Sequence, residues 1–430
     1  MKLLIFTPAL KASAIGRMTC LVSNALIAQG HEVVIVRAEC NGLSDRPSHD
    51  FRTRMISWID DKQVEEAAAD CDVVVYQIGD NYDYHEGCVA WLPRLPGIVC
   101  LHDFFIGHMF YAWAQKNMDR ADAILKHWYG DEMAKRFFGF ANNQAFIEGT
   151  IDKAPLTEWI ASQALGVITH SHWGMPRVVS SCLGAIRVVP LPYDAPGKSA
   201  PAMRYEPNKF GRLKLLTIGH INRNKRAANV IRAIASSPLL RQNVVYRLVG
   251  AADPEMIIEL STLANSLRVN LVVSGPVDDM ELALAVGEAD VLSCLRWPSL
   301  EAASASCIEA MLYGKATIVT DTGFYSEIPD KCVEKISHDD EVANLRAVLE
   351  RLYSMPSERV TLGERAREWA SSTYSAENYA KELVETSIAC QKARPLVNAK
   401  AYFVQLMKQW GASDELLRAK ETLASLAVMG

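Results

Sequence analysis

The chain opens with short apolar runs that alternate with longer amphipathic segments. Strands are predicted at residues 2–6 and 32–36, in which residues 3–6 and 33–36 are apolar. Between them residues 18–29 show a helical spacing of apolar positions that ends at Gly30. Short apolar runs predict buried strands, and the amphipathic segments predict helices that cover them. This alternation is typical of a parallel, doubly wound α/β sheet. Further strands are predicted at residues 73–78, 97–101, 166–169 and 187–189.

A second series of the same kind begins at residue 214. Between the two series, residues 193–212 contain several prolines and glycines and have no apolar period, which favours a linker. A chain of 430 residues is also too long for one ordinary core. We therefore predict two domains, at residues 1–195 and 213–370, joined by a linker at 196–212. The strands of the second domain are predicted at residues 214–219, 244–250, 270–274, 291–295 and 317–320.

Two helical regions lie outside this alternation. Residues 104–162 form a predicted helical insertion, whose aromatic stretch 104–113 could present an apolar surface to a lipid-linked glycan or to the membrane. A buried aromatic helix is the favoured alternative, since the stretch has no lysine and arginine face. Residues 371–430 are predicted to be helical and partly packed on the first domain, with a break at Arg394-Pro395 and helices at 401–409 and 413–426.

Charge and composition exclude several classes of protein. The net charge of -5 gives no basic field for binding nucleic acid. The ten cysteines are scattered without metal-ligand spacing, and they indicate reduced core residues in the cytoplasm. The first residues read as a strand and not as a signal peptide, and no run approaches the ~20 apolar residues of a membrane span. We expect a cytoplasmic protein, with peripheral attachment to the inner face of the membrane as an alternative.

The strongest functional signal is a pair of glutamates, Glu301 and Glu309, separated by seven residues between a predicted strand and a helix that ends at Gly314. The open amides of a first helical turn favour a phosphate, and carboxylates can accept hydrogen bonds from sugar hydroxyls. Taken alone, the segment favours a different interpretation. Ser306 and Glu309 have the spacing of a capping box, which is a common way to begin a helix.

Another loop adds positive charge. Residues 219–226 follow a predicted strand and contain Arg223 and Lys225, which could neutralise a diphosphate. The alternative is a solvated loop before a helix.

Taken in order, these motifs resemble family 4 (group 1) of the retaining glycosyltransferases, whose hallmark is the E-x7-E segment. The resemblance implies an α/β GT-B fold, in which two Rossmann-like doubly wound parallel-sheet domains face a central cleft. The matching segments run through most of the chain: Gly16, Gly79-Asp80-Asn81, Leu101-His102-Asp103, His170-Ser171, residues 189–192, 219–225 and 275–277, Glu301, Glu309, Gly314-Lys315, Asp321-Thr322-Gly323 and Glu327.

The resemblance also implies residue roles. Glu301 would hold hydroxyls of the donor sugar, Glu309 the nucleotide ribose, and Lys225 the phosphates. The family often has arginine after the glycine at 219, and because this chain has His220 there, we expect Arg223 to serve instead. The implied donor-binding residues are Gly16, Gly219, Arg223, Lys225, Val277, Glu301, Ser304, Ala305, Ser306 and Glu309.

In the first domain, His102 matches a family histidine near the donor sugar and the acceptor. We therefore predict Glu301, His102 and Lys225 as catalytic residues, and Asp103 and Phe104 as acceptor contacts. The family's mechanism needs no metal and no cofactor, and the expected loop has no D-x-D pair.

The resulting hypothesis is a metal-independent, retaining glycosyltransferase of the hexosyltransferase type. It would move a sugar from a nucleotide-sugar donor to a glycan, a lipid-linked glycan or another hydroxyl acceptor, in polysaccharide or glycoconjugate biosynthesis. Two alternatives stay open: a nucleotide-sugar epimerase of the same architecture, and a catalytically degenerate scaffold protein. The residues do not determine the nucleotide base, the sugar, the acceptor, the linkage or the oligomeric state.

Overall fold

The computed structural model describes residues 1–194 and 211–411. The chain divides into two compact units. The first contains Met1–Thr169, Gly174–Val189 and the C-terminal part from Ala380, and the second contains His170–Trp173 and Pro190–Tyr379. Most of the predicted linker and the whole helix predicted at 413–426 lie outside the described residues.

The first unit is built from strands that alternate with helices, apart from a run of helices between β5 and β6. Its elements are β1 (Lys2–Thr7), α1 (Ala14–Ala28), β2 (Glu32–Arg37), β3 (Met55–Ser57), α2 (Asp61–Ala69), β4 (Val73–Ile78), α3 (Tyr82–Trp91), β5 (Ile98–Leu101), α4 (Gly107–Ala114), α5 (Met118–Arg136), α6 (Asn143–Thr150), α7 (Thr157–Ala161), β6 (Gly166–Thr169), α8 (Met175–Ser181) and β7 (Ala185–Val188).

These strands form one seven-stranded sheet in the order β3-β2-β1-β4-β5-β6-β7. Every neighbouring pair is parallel, and in the interior strand β1 Leu4 lies opposite Val34 on one side and Val74 on the other. The interior strands are apolar because helices cover both faces of the sheet. The strand order reverses between β1 and β4, which is the position where doubly wound sheets bind ligands, beyond the carboxyl ends of the strands.

The helical insertion is held together by aromatic side chains. The ring of Phe110 in α4 lies 5.0 Å from the ring of Trp159 and 5.5 Å from that of Phe137. Phe104 is also buried, and a Cβ atom at Gly174 would lie 2.0 Å from its ring. The buried-helix interpretation of residues 104–113 is therefore correct. The role of Phe104 as an acceptor contact stays a prediction, and its side chain packs in the interior of the insertion in this structure.

The second unit repeats the alternation. Its elements are β8 (Leu213–Ile218), α9 (Ala227–Ala235), α10 (Pro238–Asn243), β9 (Val244–Val249), α11 (Pro254–Ser266), β10 (Leu271–Val273), α12 (Asp279–Glu288), β11 (Val291–Cys294), α13 (Ala305–Leu312), β12 (Ala316–Thr320), β13 (Glu334–Ile336), α14 (Glu341–Ser354) and α15 (Pro356–Thr373). The sheet has six strands, all parallel, in the order β10-β9-β8-β11-β12-β13. The strand order reverses between β8 and β11. The predicted pair of doubly wound parallel sheets is therefore confirmed.

The last described helix, α16 (Ala376–Gln409), passes through Pro395 without ending, so the predicted break was wrong. Proline removes only one helical hydrogen bond, at a cost of about 3 kcal/mol, and the helix continues on both sides of it. From Ala380 onward α16 belongs to the first unit, where Arg187 binds Glu382 (2.7 Å) and Glu385 (3.0 Å). No helix among the described residues is both long and apolar enough to cross a membrane.

Candidate functional site

The reversal of strand order in the second unit brings two distant loops together. Residues 219–226 follow β8, and residues 295–304 follow β11. The backbone amide of Trp297 donates a hydrogen bond to the carbonyl of Asn224 (3.0 Å), and Nδ2 of Asn224 donates to the carbonyl of Pro298 (3.2 Å). These bonds join segments about seventy residues apart into one site at the carboxyl edge of the sheet.

Lys225 is the first buried cation of this site, with 4% of its surface exposed. Its ammonium group donates a hydrogen bond to the carbonyl of Ile218. It lies so close to Gly219 that a Cβ atom there would come within 2.9 Å of Nζ, and Gly219 also has a left-handed φ of +86°. Burial and, to a smaller extent, the charge of Arg296 together lower the pKa of Lys225 to about 7. A nearby anion would therefore strongly favour the charged form of this amine.

Arg296 is the second buried cation, with 8% exposed, and the sequence prediction missed it. Its Nε donates a hydrogen bond to Oε1 of Glu301 (2.8 Å), and the hydroxyl of Tyr325 donates to the same oxygen (2.8 Å). Burial alone would lower the pKa of Arg296, but the Glu301 carboxylate outweighs it and raises that pKa above its usual range. The signal in the sequence that could have found Arg296 is its position directly after the predicted strand at residues 291–295.

The predicted phosphate contact Arg223 is placed differently. Its guanidinium forms two bonds with the carboxylate of Glu259 in α11, at 2.7 and 3.3 Å, and 63% of its side chain is exposed. The cation whose charge acts on Lys225 is Arg296. The structure therefore places Arg296, and not Arg223, beside the buried lysine.

The start of α13 rules out the capping box. The helix begins at Ala305 and is capped by Ser304, whose hydroxyl accepts a hydrogen bond from the amide of Cys307 (3.4 Å). Ser306 lies inside the first turn, and Glu309 lies one turn further on. Glu309 is 2% exposed, and its Oε2 accepts a hydrogen bond from the hydroxyl of Tyr193 (2.8 Å).

His220, which replaces the family's usual arginine, and the predicted donor contact Val277 lie in two loops at the carboxyl edge of the sheet. His220 is exposed directly after β8. Val277 is half-buried in the loop between β10 and α12, and β10 is the edge strand of the sheet. The next residue, Asp278, caps α12 with a complete capping box to Glu281.

A buried carboxylate holds the residue next to Lys225. Arg226 has a left-handed backbone (φ 57°), which costs a non-glycine residue about 1–2 kcal/mol. Its Nε donates to Oε2 of Glu341 (2.9 Å), and Nδ2 of Asn229 donates to the same oxygen. Glu341 begins α14 and is 4% exposed. Sequence spacing gave no sign of this support.

In the first unit, the loop after β1 is packed tightly against α1. A Cβ atom at Gly16 would come 2.4 Å from the carbonyl oxygen of Pro8, so glycine is needed for this close approach. Ser13 caps α1 and accepts a hydrogen bond from the Gly16 amide (3.1 Å). Oε1 of buried Glu39 accepts bonds from the amides of Ala9 and Leu10, at 2.7 and 2.6 Å, and fixes the loop.

Polar side chains also meet at the carboxyl ends of β4 and β5. His102 is buried, with Nε2 2.7 Å from Oε1 of Gln77. Oδ2 of Asp103 accepts a hydrogen bond from the amide of Asp80 (2.8 Å), and Oδ2 of Asp80 lies 2.5 Å from Nδ1 of His108. Burial opposes protonation of His108, but the Asp80 carboxylate outweighs it and raises the histidine pKa. No group of three or more potential metal-binding His, Cys, Asp or Glu side chains occurs within residues 1–194 and 211–411.

The segment of the chain that contains these two loops was compared with models of known protein families. Residues 202–369 match the family model described as glycosyl transferases group 1, a span that contains Lys225, Arg296, Glu301 and Glu309. No curated protein matches the chain.

Solved structures share the fold of the chain at low sequence identity. Anabaena HepE in complex with UDP has a TM-score of 0.61 at 14% identity, over 90% of this chain and 99% of that one. Sucrose-phosphate synthase from Thermosynechococcus elongatus has a TM-score of 0.60 at 17% identity, over 93% and 100%. WaaG, a glycosyltransferase involved in lipopolysaccharide biosynthesis, has a TM-score of 0.55 at 16% identity, over 88% and 98%. These glycosyltransferases confirm the predicted GT-B fold.

Proposed function

We propose that the chain is a glycosyltransferase that takes a sugar from a nucleoside diphosphate sugar and transfers it to a hydroxyl group of a glycan or glycolipid. The supporting observation is the pair of buried cations, Lys225 and Arg296, at the carboxyl edge of the second sheet. Only one carboxylate, Glu301, is bonded to either of them among the described residues. A buried excess of positive charge is costly, and a diphosphate would balance it.

The donor-binding roles follow from this arrangement. Lys225, Arg296 and the amides of the first turn of α13 would bind the diphosphate. Arg296 and Tyr325 both bond to Oε1 of Glu301 and fix that carboxylate, so that Oε2 can accept a hydrogen bond from the donor sugar. We retain Glu309, with Tyr193, as the contact for the nucleotide ribose.

The same groups would promote bond breaking. Cleavage of the glycosyl phosphate bond builds positive character on the sugar and negative charge on the diphosphate. Lys225 and Arg296 would stabilise the departing diphosphate electrostatically, and their position in a buried site makes this stabilisation strong. A metal is then not required in this proposal. We further propose attack on the same face of the sugar, with a donor phosphate oxygen accepting the acceptor's proton and the anomeric configuration retained.

We assign the acceptor to the first unit. His102 and Asp103 lie where β5 ends, and Asp103 holds the loop after β4 by accepting a hydrogen bond from the amide of Asp80. A cytoplasmic location and a role in polysaccharide or glycoconjugate biosynthesis complete the proposal.

The test is a calorimetric titration of the protein with UDP, GDP, ADP and dTDP. We expect selective binding of one nucleotide, and at least tenfold weaker binding in both Arg296→Met and Glu309→Gln, because each loses a proposed contact (about 1.4 kcal/mol or more). The matched control is Arg223→Met, which removes an exposed arginine of the neighbouring loop and should bind like the wild type. Failure of the wild-type protein to bind any of the four would contradict the proposal and favour a non-catalytic scaffold.

A second experiment separates transfer from epimerisation. The sugar nucleotide that matches the preferred base is incubated with and without a glycan acceptor, and the products are followed by NMR. Transfer with the donor's anomeric configuration supports a retaining glycosyltransferase. Conversion to an epimeric sugar nucleotide without an acceptor would identify an epimerase.

A further inference from the structure

A pocket of about 410 Å³ opens between α9 and α14 in the second unit. This volume lies within the range of about 300–1,000 Å³ that is usual for small-molecule sites. None of the residues assigned to the donor lines it. The wall includes Arg226, Asn229, Ser236, His338, Glu341 and Arg346.

The charges of the wall are balanced. The guanidinium of Arg226 is paired with Glu341, and the other charged residues of the wall are Arg346 and Asp340. The amide of Asn229 and a serine hydroxyl add groups that can donate and accept hydrogen bonds. A wall without excess charge and with mixed hydrogen-bonding groups suits a neutral, hydroxyl-rich ligand better than a phosphate.

One polar atom of the wall lacks a partner. Oε1 of Glu341 is buried and has no hydrogen-bond donor among the described residues, whereas Oε2 is bonded to both Arg226 and Asn229. A buried acceptor without a donor costs about 1–3 kcal/mol. A ligand hydroxyl that reached this oxygen would remove that cost.

The wall also contains a rigidly held ring. His338 stacks on Trp297, with ring centroids 3.6 Å apart and planes inclined by 11°. Trp297 is itself fixed through its backbone bond to Asn224. A ring held in this way offers a flat surface for the C–H groups of a sugar beside the polar groups that would bind its hydroxyls.

We propose that this α9–α14 pocket is a second ligand site of the protein, which binds a neutral saccharide. The inference depends on the pocket's own residues and not on the function proposed for the donor site. The pocket and the donor site share the loop after β8, since Arg226 follows Lys225 directly, but they use different side chains.

The test is saturation-transfer NMR with glucose and maltose as probes, and glucose 1-phosphate and inorganic phosphate for comparison. The samples contain a saturating concentration of the nucleotide that binds the donor site in the titration above. Ala343 lines the pocket and is exposed, so Ala343→Trp fills the space without disturbing the core. The matched control is Ala343→Ser, which keeps the pocket open. We expect saccharide binding by the wild type and by Ala343→Ser, and binding at least about tenfold weaker in Ala343→Trp.

Three outcomes would overturn the proposal: no binding of either neutral saccharide at millimolar concentration, equal binding by Ala343→Trp, or a preference for inorganic phosphate over both sugars. Calorimetry with UDP on the same samples tests the donor site separately. A protein that binds none of the nucleotides UDP, GDP, ADP and dTDP but binds maltose in an Ala343→Trp-sensitive way contradicts the proposed function and supports the pocket. A protein that binds a nucleotide but binds no neutral saccharide contradicts the saccharide site and supports the donor site.

Discussion

The protonation state of Lys225 should control how tightly the protein binds a nucleoside diphosphate. Its pKa is lowered from 10.5 to about 7, first by burial and then by the charge of Arg296. At 1.36 kcal/mol for each pKa unit, charging this amine in the folded protein costs roughly 5 kcal/mol more than in water. About half of the molecules therefore carry a neutral Lys225 at pH 7, and binding a diphosphate should take up a proton.

The size of the effect follows from the charged fraction. Above pH 7 this fraction falls about tenfold with each pH unit, so the dissociation constant of UDP should rise roughly fiftyfold between pH 7 and pH 9. The terminal phosphate of the nucleotide titrates near pH 6 and does not contribute in this window. Without ligand, the unfolded state binds more protons at this lysine between pH 7 and 10.5. Lys225 therefore makes the free energy of unfolding increase with pH over that range.

The assay is calorimetry across this pH range in buffers of different ionisation enthalpy, which measures both affinity and proton uptake. Lys225→Met should bind UDP weakly at pH 7 and show no pH dependence. Lys315→Met is the matched control, because Lys315 is another buried lysine, with its pKa lowered by burial to about 8, but it bonds to the carbonyls at the end of α12. A wild-type affinity that does not change with pH, or a slope that survives in Lys225→Met, would refute the reasoning.

Three other substitutions test the site and its supports. Arg296→Met should weaken UDP binding at least about tenfold and Arg223→Met by less than about twofold, since only the first arginine is buried in the site; equal losses in calorimetry would contradict this assignment. Gly16→Ala should lower the free energy of unfolding by about 1–3 kcal/mol, because its Cβ would lie 2.4 Å from the Pro8 carbonyl oxygen. Urea denaturation measures this change, and an unchanged midpoint would contradict the prediction. Glu341→Ala should lower the free energy of unfolding by about 1–3 kcal/mol, because it leaves Arg226 and Asn229 without their hydrogen-bond acceptor, and Glu341→Gln should lower it less. Urea denaturation measures both variants. An alanine variant as stable as the wild type would show that this carboxylate does not stabilise the fold.

The sequence alone predicted both sheets. Strands that are buried on both faces read as short apolar runs, and each run such as residues 73–78 or 291–294 is followed by a helix. The alternation of strands and helices therefore predicts a parallel, doubly wound sheet. It also placed Glu301 and Lys225 in loops after strands of one sheet, because the carboxyl ends of parallel strands lie along one edge.

Local sequence was less informative where neighbouring residues compete for one role. Ser304 and Ser306 can both cap a helix, and the structure selects Ser304. Proline usually ends a helix, yet α16 continues through Pro395. In both cases the local preference is worth only a few kcal/mol, and the surrounding fold decides.

The chemistry of the site required the tertiary structure. Arg223 and Arg296 both lie in loops at the carboxyl edge, and their spacing does not reveal that one bonds to Glu259 at the surface while the other is buried against Glu301. The sequence spacing likewise does not reveal the lowered pKa of Lys225, which depends on burial and on the nearby charge of Arg296. The alternation of apolar and polar residues is a local property, so the sequence by itself determined the two sheets and their loops. Burial and charge pairing depend on contacts between distant segments, so only the folded chain decided which cations form the site.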